Sequence, residues 1–114
     1  MNERPYKLFL EDILEAISKI EEFVKGMDLE QFKKDDKTAS AVLRKLEIIR
    51  EAAKNIPPKV KEKHFDIPWK RMAGLRNIVI HGYFGVDTEI IWKIITENLP
   101  ELKPRIEKIL EETD

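Results

Sequence analysis

Apolar residues in this chain fall three and four positions apart, a spacing that predicts helices and leaves no stretch reading as a half-buried strand. The most regular run is Ala39, Val42, Leu46, Ile49, Ala53 and Ile56, whose gaps alternate three and four throughout. A helix turns about 100° per residue, so these side chains form one stripe. A stripe that regular suits a helix lying nearly parallel to its neighbours. Asp35 or Asp36 can cap its start. Pro57-Pro58 ends it, and Pro58 can open a short turn through Lys63.

Three further patterns surround it. Phe9, Ile13, Ile17, Ile20 and Val24 predict a helix from about Pro5, a good first-turn residue, to Lys25, stopped by Gly26. Asp28 to Lys33 reads as one or two loose turns. A third long element begins at Ile67-Pro68-Trp69 and runs to His81, with Gly82 as its stop. Its Trp69, Met72, Ala73, Leu75, Ile78, Val79 and Ile80 cover most of the circumference, so it must be covered on all sides, and a second subunit is an expected cover. A fourth helix starts at Asp87-Thr88, with Glu89 well placed in the first turn, and carries Ile91, Ile94, Ile95 and Leu99 until Pro100 breaks it. A last stretch, Pro100 to Glu112, carries Leu102, Ile106, Ile109 and Leu110. The expected architecture is all-α: an up-and-down four-helix bundle with short extra helices, in a single domain spanning 1–114.

Composition narrows the function. The 114 residues contain no cysteine, which excludes disulfides and thiolate metal sites. No apolar run approaches the roughly 20 residues needed to cross a bilayer, and the polar start of the chain is unlike a secretory leader. The expected location is the cytoplasm. Net charge is −1, yet residues 59–76 hold Lys59, Lys61, Lys63, Lys70, Arg71 and Arg76 against only Glu62 and Asp66. A basic stretch on an otherwise acidic chain suits either an anionic ligand such as a nucleic acid or a solvated surface. The Lys/Glu richness, with a single glutamine, also suits a thermophilic source.

Most chemistry is absent. No glycine loop cradles a phosphate, both serines sit inside expected helices, and His64 and His81 lie on different elements, which argues against a metal site. Trp69 and Trp92 read as core anchors. The exception is Arg76-Asn77-Ile78-Val79-Ile80-His81-Gly82-Tyr83. On a helix Asn77 and His81 stack four apart, while Arg76 and His81 stand about 140° apart and do not meet well. Two copies related by a two-fold axis could complete each other's site. Arg and His near a helix end can also serve merely to satisfy carbonyls.

Arg76, four residues, His81, one residue and Tyr83 resemble the R-x4-H-x-Y signature of HEPN-domain proteins of the HepT-like type. Ile49-Arg50-Glu51-Ala52-Ala53-Lys54, Ile67-Pro68-Trp69, Gly74-Leu75-Arg76-Asn77 and Leu99-Pro100-Glu101-Leu102 resemble that family in order and spacing, over about residues 8–112. Arg50 departs from it, standing where a small glycine is expected. The resemblance implies a dimerising four-helix bundle and a toxin ribonuclease that cleaves RNA without metal or other cofactor. It implies catalytic roles for Arg76, His81 and Asn77. It also implies a nucleotidyltransferase-fold antitoxin that adenylylates Tyr83. The competing reading is a non-catalytic nucleotide- or substrate-binding subunit of a nucleotidyltransferase.

Overall fold

The computed structural model describes residues 4–75 and 88–112, and among them every regular element is helical. Helix α1 (Tyr6–Phe23) starts after Pro5, which serves as its N-cap rather than its first turn. The chain leaves α1 through Gly26, whose φ of +78° is open to glycine and costly for other residues. Helix α2 (Leu29–Lys33) is better defined than the expected loose turns. Asp28 accepts a hydrogen bond from the Gln31 backbone N–H, and the Asp28 N–H donates back to the Gln31 side chain, each at 2.9 Å. This reciprocal box satisfies two of the donors that a helix start leaves over.

Helix α3 (Asp36–Lys54) is capped by Asp35, whose Oδ1 accepts from the Thr38 N–H at 3.0 Å. The Thr38 backbone and hydroxyl bonds hold the Asp35 carboxyl below its ordinary pKa, because both favour the charged form. Helix α4 (Pro58–Lys63) begins with Pro58 as its first residue, where a missing N–H costs nothing. Helix α5 (Trp69–Ala73) ends on Gly74. The rest of the expected third helix, 76–81, its Gly82 stop and the Asp87 cap lie outside the described residues.

Helix α6 (Thr88–Lys93) passes into a π-helical turn (Ile94–Asn98) and then into α7 (Leu99–Glu111), so Pro100 does not break the chain's last helix. In an α-helix the ring of Pro100 would collide with the carbonyl four residues back. The wider π turn, with its five-residue hydrogen-bond step, precedes the proline and removes that conflict. Thr96 Oγ1 also donates to the Trp92 carbonyl within it, at 2.7 Å. Pro104 lies further along, inside α7.

α1 packs most extensively on α3 and next on α7, while α5 lies on α3 and α2 bridges α3 and α6. The shared core holds Leu10, Ile13, Ile17, Leu46, Ile49 and Ile106, all sealed from solvent. Each such side chain contributes roughly 1.5–3 kcal/mol through burial. No buried polar side-chain atom lacks a partner among the described residues. No helix among them is long and apolar enough to cross a membrane.

Candidate functional site

Arg76, Asn77, His81 and Tyr83 lie outside the described residues, but both ends of the segment that carries them are well anchored. On the entry side, Trp69 is 6% exposed and its indole Nε1 donates to the His64 carbonyl at 3.0 Å. That bond ties the start of α5 to the end of α4, and Met72 and Leu75 complete the buried face. The apolar residues of this element that can be seen, Trp69, Met72 and Leu75, are therefore covered within their own chain. On the exit side, the Trp92 ring packs against buried Phe32 with centroids 5.2 Å apart, and Lys33 Nζ pairs with Glu89 at 3.1 Å. These contacts set α6 against α2. Both tryptophans thus serve as anchors.

A cleft of about 700 Å³ opens between α5, the π turn and α7. Arg71 and Met72 of α5 and Leu75 just beyond it line one side, and Lys93, Ile94 and Asn98 the opposite side. Glu101, Leu102 and Arg105 of α7 close its end, with Asp66 beside them. Arg105 is fixed from both directions: Nη1 donates to the Asp66 carbonyl at 2.9 Å, and Nη2 pairs with Glu101 at 3.3 Å.

The five basic residues expected to touch RNA are not gathered into one patch. Arg71 lines the cleft just described. Lys59 and Lys63, four apart and on one face of α4, border a separate depression of about 170 Å³ with Tyr6, His64 and Glu112. Lys61 is part-buried and Lys70 exposed, and neither lines either opening. The cleft adds two cations that the sequence reading did not single out, Lys93 and Arg105. They sit well beyond the basic run at 59–76, and only the return of α6 and α7 toward α5 brings them there.

Arg50, the residue out of pattern, is folded along its own helix. Its guanidinium binds Glu47 and also Glu51 at 3.0 Å, leaving the side chain 16% exposed. The hydrogen bond to Glu47 raises its pKa further above the usual arginine value. Among the described residues no cluster of His, Asp or Glu is arranged to hold a metal ion.

An all-helical domain with this motif is of the HEPN type. The family model described as ribonuclease HepT-like matches residues 13–109, and the chain belongs to that family. The chain is 51% identical over 106 residues to a Thermococcus cleftensis protein named "Probable ribonuclease HepT", covering 93% of this chain and 96% of that one. A Caldanaerobacter subterraneus protein named "Putative RNase TTE0752" is 46% identical, covering 95% of this chain and 94% of its own. A Methanocaldococcus jannaschii protein named "Putative RNase MJ1380" is 45% identical, covering 94% and 98% respectively. No solved structure matches the chain.

Proposed function

We propose that this chain is the toxin of a toxin–antitoxin pair: a cytoplasmic, metal-independent endoribonuclease, folded as one domain over 1–114 and acting as a homodimer. The observation that carries this reading is the complete Arg76…His81…Tyr83 motif inside the matched span of a ribonuclease HepT-like chain.

The residue types suit the reaction. The ribose 2′-hydroxyl attacks the adjacent phosphorus while the bond to the 5′-oxygen breaks, leaving a 2′,3′-cyclic phosphate and a 5′-hydroxyl. One group must take the 2′-hydroxyl proton and another must give a proton to the leaving oxygen. Histidine is the side chain best matched to both near neutral pH. Arginine supplies a permanently charged fork for the equatorial oxygens of the phosphorane. Two copies of the motif across a dimer give two His81 and two Arg76, enough for base, acid and charge stabilisation. Asn77 orients a neighbour or binds a phosphate oxygen. In this reading the antitoxin is a nucleotidyltransferase that moves AMP from ATP to the Tyr83 phenol oxygen, releasing pyrophosphate and the phenol proton; the adduct adds an anionic phosphate that competes for Arg76 and a nucleoside that blocks entry.

The test is cleavage of single-stranded RNA by the purified chain in excess chelator. The expected result is cyclic-phosphate products, abolished by His81→Ala and by Arg76→Ala in variants that remain folded, with light scattering reporting a dimer. Binding of RNA without cleavage would favour the non-catalytic substrate-binding subunit instead. Co-expression with the transferase should add AMP-sized mass increments that vanish in Tyr83→Phe. An inactive complex with unmodified Tyr83 would leave occlusion as the mechanism of neutralisation.

A further inference from the structure

Resting on the ribonuclease reading, we propose that the cleft between α5, the π turn and α7 is the groove for the RNA strand. Arg71 and Lys93 hold its backbone phosphates there, and the lysines of α4 take no part.

Size separates the two openings first. Pockets that enclose ligands run from roughly 300 to 1,000 Å³. The cleft, at about 700 Å³, accommodates a nucleotide, whereas the α4 depression, at about 170 Å³, does not. The placement of the cations separates them next. Arg71 and Lys93 reach the cleft from two different helices, and neither is ion-paired among the described residues. Arg105 is already engaged by Glu101 and the Asp66 carbonyl, so it builds the wall rather than binding the strand. Asp66 is the one remaining acid at the rim without a partner among the described residues. The α4 depression has the same balance, two lysines against Glu112, but both lysines stand on the one short helix and reach it from a single side.

Met72, Leu75, Leu99 and Leu102 form the buried floor of the cleft, and its accessible apolar surfaces are Ile90 and Ile94. They can carry the faces of sugars and bases without reading their edges. No aromatic ring lines the cleft among the described residues, so base stacking contributes little there. Affinity then comes mainly from phosphates, which makes it salt-dependent and tolerant of sequence. Leu75 in its lining immediately precedes Arg76 in the sequence.

The experiment compares Arg71→Gln/Lys93→Gln with Lys59→Gln/Lys63→Gln, each checked for fold by circular dichroism. Binding of a fluorescein-labelled 2′-O-methyl oligoribonucleotide, which cannot be cleaved, is followed by anisotropy across a potassium chloride series. Each lost phosphate contact on a single strand lowers the slope of log affinity against log salt by about 0.7, so the cleft pair should lower it by about 1.4. The same pair should raise KM for cleavable RNA while kcat changes little. The charge-conserving Arg71→Lys/Lys93→Arg should recover most of the loss. The α4 pair should behave like the parent protein.

An unchanged slope and KM in the cleft variant, in a parent protein that cleaves RNA, would overturn the groove and leave the ribonuclease reading standing. So would an effect confined to the α4 pair. A cleft variant that loses only its co-purifying transferase would make the cleft a protein-docking face and overturn the proposal. A parent protein that neither binds nor cleaves RNA would remove the ribonuclease reading itself.

Discussion

Replacing Trp69 by Phe tests whether the approach to the motif is held by a single anchor. The indole is 6% exposed and donates to the His64 carbonyl at 3.0 Å. Phenylalanine keeps most of the ring but loses that bond, worth about 1 kcal/mol net. It also leaves a small void where the larger ring lay, costing a further 1–2 kcal/mol or so. The sum, about 2–3 kcal/mol, is a large share of the roughly 5–15 kcal/mol that holds a domain together. In a chain of this size it should lower Tm by about 8–12 °C. Urea unfolding monitored through the remaining Trp92, with the m-value unchanged, measures the loss. The variant's ribonuclease activity should also fall at lower temperature than the parent's, because α5 leads directly into Arg76. A loss below about 0.5 kcal/mol would put Trp69 with ordinary surface positions and refute its role as anchor.

Gly26→Ala should cost about 1 kcal/mol in urea unfolding, although a Cβ there would meet nothing within 4 Å. The cost comes from φ alone, and an unchanged midpoint would mean the turn relaxes to another conformation. Asp35→Asn should lower neutral-pH stability and flatten its acid limb. The Asp35 carboxyl is held below its ordinary value of 3.8 by the Thr38 bonds, so the charged cap contributes fully above that value and is lost as pH falls through the folded pKa. Unfolding titrations between about pH 5 and pH 2 should show the parent losing more than the variant, and parallel curves would contradict the assignment.

The long helices were legible because their stripes exceed anything local chemistry can override. α1 and α3 follow the predicted apolar residues, and Asp35 and Gly26 punctuate them as expected. Local rules misled where a second local feature cancelled them. Pro100 vetoes an α-helix at that point, but not one that widens into a π turn first, and no periodicity announces that turn. The Asp28–Gln31 box, by contrast, was written in the sequence and marks α2 as a capped helix. The buried Trp69, Met72 and Leu75 show a different limit. Apolarity around a helix says that covers exist, but tertiary packing decides which elements provide them, and for these three the chain itself does. The same holds for charge: a window along the sequence sees Arg71 but cannot see Lys93 or Arg105 arriving beside it.

The segment 76–87 is flanked by two differently built elements. It leaves into a helical stretch that runs from Thr88 through the π turn to Glu111 and is buried along its length by Ile91, Ile95, Leu99, Leu102, Ile106 and Ile109. It is entered from α5, five residues long and far too short to be stable by helix propensity alone. What keeps α5 in place is tertiary: the indole of Trp69 on the His64 carbonyl, and Met72 and Leu75 against the core. Its packing on α3 is second in extent only to that of α1 on α3. The approach to Arg76 along the sequence is thus a short helix held by tertiary packing, whereas Lys93 stands on the longest helical stretch of the fold, from Thr88 to Glu111. Substitutions that loosen α5 should accordingly disturb Arg76 and the phosphate chemistry assigned to it before they disturb the strand-holding face of the cleft. That ordering follows from how the chain is packed, whichever RNA it meets.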